Sequence, residues 1–596
     1  MTTMNKMSLV PLVSLIMTVS FVFGQETTGG EETFLGIGSG SRKIARVQKA
    51  QILPHNVDST MKMEEIKYYL EPKQLEVSYQ IENISPARLK IKEPLDELQN
   101  GYVKAGAGMY LTPFLEVNYA SNRSKYESWG VKGNVQSSFA DIKEMGNTRY
   151  SDISAGGFFQ KFFLDNDLWA EVNYERNNYQ FYGLNYQNPL MESFEEADSL
   201  FAQNYDFFDV HVQYNSRNTG RDTNKLRYRT WLDYHHLNSN YGLKENYALI
   251  GAHSGWVILD EEFLGTFEMD INNLAQPTLS LDSDNLIQVG SIATSTTAIV
   301  RANPHIYSRK KNLIAKVGIS LQAEINNRVK PYFFPDIEVS YSLFKNVFIP
   351  YGGLKGNVQR NTFNDFRSQN PFVSEDAIIS NTIQRYNLFA GIRGSLSSKF
   401  TFNVSSSMEK LDGFNLFVPD TISSYENKFQ LDYQKVNRTT FLGELTYQES
   451  EKLKIAAKGE YFIYNLTELE GPNDYAWQRP DLKFSLSSIL DLSDKIIIRG
   501  DVYLIGTRNV YSYMEPYANK NIVLDESGEV EFTEDNGRYI YKLKPFIDMN
   551  LSAEYRYSKK ISAFIQLNNF TAKKYQYWSN FPSQSINVFG GVTLSF

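Results

Sequence analysis

The sequence predicts an all-β protein: a transmembrane, antiparallel, up-and-down β-barrel of about 22 strands, with 20 as the fallback count. Three observations predict it. Apolar and polar residues alternate with period two over segments of roughly 10 to 20 residues, longer than the usual soluble strand. Short and long connections alternate along most of the chain, as periplasmic turns and surface loops do in such barrels. Aromatic residues make up 14% of a cysteine-free chain of 596 residues, a load that a lipid-facing wall with aromatic girdles accommodates.

The C-terminal strand shows the alternation plainly. Ile586, Val588, Gly590, Val592, Leu594 and Phe596 share one parity, and Asn587, Phe589, Gly591, Thr593 and Ser595 the other. Ile547, Met549, Leu551, Ala553 and Tyr555 alternate with Asp548, Asn550, Ser552, Glu554 and Arg556. Leu168, Ala170, Val172 and Tyr174 do so with Trp169, Glu171, Asn173 and Glu175; Ile497 breaks the pattern in its own strand. Charges of both signs in mid-strand suit a wet lumen, and tilted strands need about 9–11 residues to cross the apolar layer.

Short connections fall at 165–167, 260–262, 345–346, 397–399, 493–495 and 558–560. Longer polar ones fall near 185–204, 275–290, 363–381, 412–426, 466–478 and 511–540. Counting strands back from Phe596 gives twenty down to 126–141. The segment 101–121 adds two if it turns at Leu111-Thr112-Pro113, which gives the even number bacterial barrels require. The segment 428–448 is read as one strand, with Asn437 as the place where a turn would divide it.

The amino end reads as an export signal. Lys6 supplies a positive charge, Leu9 to Phe23 an apolar run of about 15 residues, and Gly24 a small residue before the expected cleavage site. The run is shorter than the roughly 20 residues a spanning helix needs. Three regions follow: a signal peptide at 1–24, a periplasmic or lumenal segment at 25–100, and a barrel at 101–596. Both termini are expected in the periplasm.

The carboxy end resembles the TonB-dependent receptors. Leu567-Asn568-Asn569-Phe570 with Lys573, Lys574 and Tyr575 is similar to that family's stretch before its last loop, and Gly591 to Phe596 is similar to its terminal strand. Tyr102 to Gly108 with Thr112-Pro113 resembles short receptor-like barrels of the Bacteroidetes. The resemblance implies an outer-membrane barrel whose terminal aromatic, Phe596, is read by the barrel assembly machinery. It also implies an N-terminal plug, for which only roughly 75 residues stand between Gln25 and Gly101. A barrel this wide needs its lumen filled. Three fillers are expected candidates: a reduced plug from residues 25–100, long loops folded inward, or a partner. Thr33, Phe34, Leu35 and Gly36 loosely resemble the family's energy-coupling box; a polar, glycine-rich linker reads the same way.

Other chemistry is weakly indicated. A net charge of −8 without a Lys/Arg block disfavours nucleic acid. The absence of cysteine excludes disulfides and thiolate metal sites. Tyr234-His235-His236 is the densest histidine site, but adjacent strand residues face opposite ways, so the two imidazoles do not share a metal. The acidic loops Glu192, Glu195, Glu196, Asp198 and Asp525, Glu526, Glu529, Glu531, Glu534, Asp535 lack EF-hand spacing and read as solvated. No motif nominates a nucleophile with a base, so no enzyme activity and no cofactor are expected. The function expected is transport of a ligand across the outer membrane, with outer-membrane lipid and either TonB or a surface lipoprotein as partners. The alternatives are a non-conducting interaction scaffold and a passive diffusion channel.

Overall fold

The computed structural model describes residues 99–596 apart from 122–123, 144, 146, 184–200, 218–225, 259–260, 282–286, 345, 421–425, 451, 468–474, 494, 517–520 and 525–529. The expected signal peptide, the segment 25–100 up to its last two residues, and Thr33 to Gly36 lie outside the described residues.

Twenty-two strands pair antiparallel in chain order. They are β1 (Gly101–Gly108), β2 (Thr112–Ala120), β3 (Glu127–Ser138), β4 (Tyr150–Phe162), β5 (Asn166–Gln180), β6 (Ala202–Ser216), β7 (Arg227–Ser239) and β8 (Lys244–Ile258). Next come β9 (Glu261–Leu281), β10 (Ile287–Lys310), β11 (Leu313–Ile325), β12 (Val329–Tyr341), β13 (Ile349–Gln359), β14 (Thr382–Ser397), β15 (Phe400–Pro419) and β16 (Phe429–Gln448). The last are β17 (Leu453–Leu466), β18 (Leu482–Leu492), β19 (Ile496–Ile505), β20 (Phe546–Arg556), β21 (Ile561–Asn568) and β22 (Asn587–Ser595).

The sheet closes where β1 pairs with β22, from Tyr102↔Ser595 to Gly108↔Phe589. Glycine lets the two backbones meet there: a Cβ on Gly591 would stand 2.2 Å from the Ala105 carbonyl oxygen. Phe596 extends the seam. Its carbonyl accepts the amides of Asn100 and Gly101 at 2.7 and 3.0 Å, and its ring stacks on Tyr119. Closure removes every edge in the apolar layer, which lipid requires because it offers no hydrogen bonds.

The division of 101–121 is observed, with the turn at Met109 to Leu111, where Tyr110 and Leu111 adopt positive φ. β16 runs unbroken through Asn437. One expected loop and one expected strand differ most from the structure. The connection 275–290 is largely strand, because β9 and β10 continue as a ribbon of 21 and 24 residues. The segment 541–557 divides at Lys544: Arg538–Leu543 joins Arg508–Ser512 and Phe532–Asp535 in a separate three-stranded sheet, and β20 begins at Phe546. No described helix is long and apolar enough to cross a membrane.

Facing follows the parity. Leu551 and Val592 are 45% and 49% exposed on the outer wall, while Asp548 and Asn550 are buried. Cross-strand pairs such as Lys132–Glu171 and Lys316–Asp336, both at 2.7 Å, line the inner wall. Ile497, the residue out of pattern, is buried on the inner side. Arginine at Leu551 or Val592 is therefore expected to cost about 2–4 kcal/mol, and arginine at Ser552 little. Reversible urea unfolding in lipid vesicles checks this; equal penalties at both parities would contradict the facing.

Candidate functional site

The functional feature is the end of the barrel remote from the termini. Every connection from β1–β2 through β21–β22 that follows an odd-numbered strand lies there, because strands alternate in direction.

Those loops fold inward and form a hydrophobic core of their own. Ile142, Phe181, Tyr182, Phe201, Phe363, Phe366, Phe372, Val373, Ala377, Trp578 and Phe581 are all buried, packed with Tyr205, Leu237, Leu243, Leu274, Phe417 and Phe429 from the strand ends. Phe372 and Phe581 stack at 3.5 Å between centroids, and Trp578 meets Phe417 edge-on. The contacts span the opening. Asn427, after β15, donates to the Phe181 carbonyl, after β5, at 2.9 Å. Those loops are ten strands apart in a ring of twenty-two, nearly a diameter. Tyr182 donates to the Pro582 carbonyl at 3.0 Å, and Gln478 to the Ser579 hydroxyl at 2.7 Å.

One strap, residues 360–381 between β13 and β14, crosses to the opposite wall. It contains the only α-helix among the described residues, α1 (Phe363–Gln369). Thr362 and Asp365 form a capping box at its start, which satisfies two of the amides left open at a helix N-terminus. Glu245 on β8, fully buried, accepts the next two: the amides of Phe363 at 2.9 Å and Asn364 at 3.0 Å. Asn272 also donates to it, at 2.9 Å. At the stem, Arg360 donates from Nε to the buried Asp270 at 2.6 Å, which Arg301 also grips. Farther along, the Glu375 carboxylate accepts from Gln203 and Ser239, and Gln276 donates to the carbonyls of Glu375 and Ala377 at 2.9 and 2.7 Å. On its other side the strap bonds β16, with the Ser374 amide donating to the Phe429 carbonyl at 2.8 Å.

At the stem of the strap, beside Arg360, lies a cavity of about 380 Å³ lined mostly by polar side chains of the inner wall, Glu268, Arg301, Gln322, Lys355, Asn357 and Gln384 among them. An apolar, hydrogen-bonded lid thus covers a hydrophilic lumen.

Burial pushes the Glu375 carboxyl above its ordinary value of 4.5, outweighing its hydrogen bonds and the Lys428 ammonium nearby. Asp365 is raised for the same reason. A carboxyl that holds its proton more tightly in the closed lid strengthens closure as pH falls through the range between its ordinary and raised values. Closure weakens as pH rises through that range. The free energy of lid opening, read from hydrogen exchange of the α1 amides corrected for intrinsic rates, is expected to follow that direction. Glu375→Gln should flatten the dependence.

Of the residues singled out by sequence, His235 lies at the lid's edge beside Glu245, and the others fall elsewhere. His235 and His236 do face opposite ways: His235 Nε2 lies 3.6 Å from Glu245, and His236 Nδ1 lies 2.9 Å from Asn246. No cluster of three metal-ligating side chains occurs among the described residues. Glu531 and Glu534 are exposed; Glu192, Glu195, Glu196, Asp198, Asp525, Glu526 and Glu529 lie outside the described residues. Inward-folded loops are one of the three fillers expected from the sequence, but the residues that build the lid are not singled out there. Its signals are Thr362-x-x-Asp365 and the rings at 363, 366, 372, 575, 577, 578 and 581, in stretches read as polar loops or strand ends. The expectation that the aromatics lie against lipid is narrowed: many are exposed on the outer wall, while eleven fill this second core.

No family model matches the sequence, and no curated protein matches it. Solved structures do. The ferric-catecholate import receptor Fiu from K12 E. coli is 7% identical, with 84% of this chain and 82% of that one covered at a TM-score of 0.59. The pyoverdine outer membrane receptor FpvA from Pseudomonas aeruginosa PAO1 is 13% identical (85% and 79% covered, TM-score 0.59). The siderophore receptor PirA from Acinetobacter baumannii is 10% identical (84% and 81% covered, TM-score 0.59). At these identities what is shared is the fold. The resemblance read from the carboxy end holds at that level: the chain forms a 22-strand barrel whose fold is similar to that of these receptors.

Proposed function

We propose that the protein is an outer-membrane receptor that admits a ligand through its barrel, with the inward-folded loops as the closed outer door. The observation that carries this reading is the lid: loops from nearly opposite sides of the ring meet in one buried core over a polar lumen. A passive channel needs an open mouth, and a lid bridged across a diameter opposes it. The shared fold with import receptors supports the direction of transport. On this reading residues 1–24 direct export, both termini lie in the periplasm, and residues 25–100 couple the barrel to TonB through the segment containing Thr33, Phe34, Leu35 and Gly36. A surface lipoprotein is the other partner the reading accommodates.

Tethering tests it. The Gln276 side chain reaches the Ala377 carbonyl, with Nε2 to O at 2.7 Å, so cysteines at the two positions can be bridged by a short bismaleimide with a cleavable disulfide, which locks the strap to β9. In a strain that depends on the protein for growth, the bridged Gln276→Cys/Ala377→Cys variant is expected to lose function, and a reductant that cleaves the bridge to restore it. A scaffold would keep its function while locked. In planar bilayers the whole chain, and the chain lacking residues 26–98, are both expected to stay near zero conductance because the loops alone close the mouth.

A further inference from the structure

The barrel wall is low on one side. β1, β2, β21 and β22 have only 8, 9, 8 and 9 residues, against 21 and 24 in β9 and β10. At β5 and β6 the apolar outer face ends in polar groups, with Arg176 3.6 Å from Asp206 and the Tyr174 hydroxyl donating to the same carboxylate. At the seam the apolar face does not end. It runs from Leu551, Met549 and Val592 into the loop tips, where Met109, Leu111, Phe139 and Phe570 are 48%, 70%, 53% and 58% exposed. These tips are fixed, not loose: the Phe139 amide bonds the Tyr110 carbonyl at 3.1 Å and the Phe570 amide bonds Met549 at 2.7 Å. Trp129 and Phe139, both exposed on the outer face of β3 and its extension, are ten residues apart. At about 3.3 Å per residue and a tilt near 45° that is about 23 Å of height, close to the roughly 25 Å apolar band of such barrels. Phe139 therefore stands at the upper boundary of the lipid, not in water.

Beside these tips lie Lys143, Lys573 and Lys574, all exposed, with Lys574 Nζ donating to the Lys143 carbonyl at 3.3 Å. One nearby carboxylate, Asp141, is held by Arg149 at 3.0 Å. Apolar tips continuous with a lipid-facing belt, crowned by ammonium groups, are complementary to an anionic amphiphile lying in the leaflet.

We propose that the loop tips 109–111, 139–143 and 569–574 form a lipid-binding rim. Met109, Leu111, Phe139 and Phe570 enter the acyl layer, and Lys143, Lys573 and Lys574 meet the anionic headgroups of the same lipids. The barrel sits low at its seam, while the β9–β10 ribbon stands in water, where residues 290–296 are exposed on both faces.

The chain has no cysteine, so single-cysteine variants of the whole protein report position without background. Leu111→Cys, Phe570→Cys and, as the aqueous reference, Thr294→Cys are labelled with a nitrobenzoxadiazole fluorophore in phosphatidylcholine vesicles containing phosphatidylglycerol. The expected result is blue-shifted emission at 111 and 570, several-fold stronger quenching there by doxyl-phosphatidylcholine than at 294, and the reverse order with iodide. Spin-labelled phosphatidylglycerol should quench position 570 more than spin-labelled phosphatidylcholine does, and the triple change of Lys143, Lys573 and Lys574 to Gln should abolish that preference. Iodide access at 111 and 570 equal to that at 294 would overturn the proposal. So would a headgroup preference unchanged by removing the lysines, which would leave an apolar rim without the anionic partner.

Discussion

Phe372→Ala is expected to open the lid at a cost of about 3–5 kcal/mol while leaving the barrel closed. The ring is 2% exposed. It stacks on Phe581 and takes edge contacts from Tyr179, Phe181 and Tyr182, so its removal opens a cavity between three loops at once. Among the described residues those loops have a polar lumen beneath them, so they have little other apolar surface onto which to collapse. The wall, by contrast, is held by its own strand ladders, which Phe372 meets only at strand ends, through the ring of Tyr179 on β5 and through its carbonyl, which accepts the Phe429 amide of β16. Protease sensitivity should therefore rise within loops 360–381 and 569–586, while the heat-modifiable electrophoretic shift of the folded barrel stays as in the parent. Loss of that shift would mean that lid and barrel fold as one unit.

The second large effect is expected at Glu245→Ala. Its carboxylate accepts two α1 amides and the Asn272 amide in a fully buried place. Unsatisfied buried donors cost about 1–3 kcal/mol each. The helix amides escape that penalty only by lifting into water, so the strap should detach from β8 rather than the strand unfold. Glu245→Gln keeps one accepting oxygen and should fall between the parent and Ala. Faster hydrogen exchange confined to α1 and its flanks is the check; exchange spreading into β8 and β9 would show the residue to be a wall element instead.

The wall was legible in the sequence, and the lid only as one of three candidate fillers without its residues, for a physical reason. A strand with lipid on one side and water on the other must alternate, and the alternation of Leu551 with Ser552 states its facing without any knowledge of neighbours. A turn dividing 101–121 followed from the need for an even strand number, expected at Leu111-Thr112-Pro113 and found just before it at 109–111, and Ile497 stood out because an apolar residue faces the lumen. Nothing comparable constrains the strap. Its rings at 363, 366 and 372 are spaced for no regular period and are separated by Asn, Asp, Arg, Ser and Gln, so they read as a polar loop. Their burial depends on Trp578 and Phe581, about two hundred residues later, and on wall residues such as Tyr205 and Leu237. Local pattern carries no record of such meetings. Glu245 is a similar case: on its strand it is one more lumenal charge, and only the arrival of α1 gives it a role. The short capping signal Thr362-x-x-Asp365 was present, but a seven-residue helix is too brief for periodicity to support it.

The account turns on whether the lid closes the outer mouth, and one measurement addresses that directly. Ser407 lies on the lumenal parity of β15, between Phe389 and Thr440 of the neighbouring strands. In whole cells carrying Ser407→Cys as the single thiol, a bulky membrane-impermeant maleimide reaches the residue only through the outer mouth. The account predicts no labelling when the lid is intact, and rapid labelling when residues 363–378 are replaced by a short Gly/Ser linker. Rapid labelling with the lid intact would contradict it.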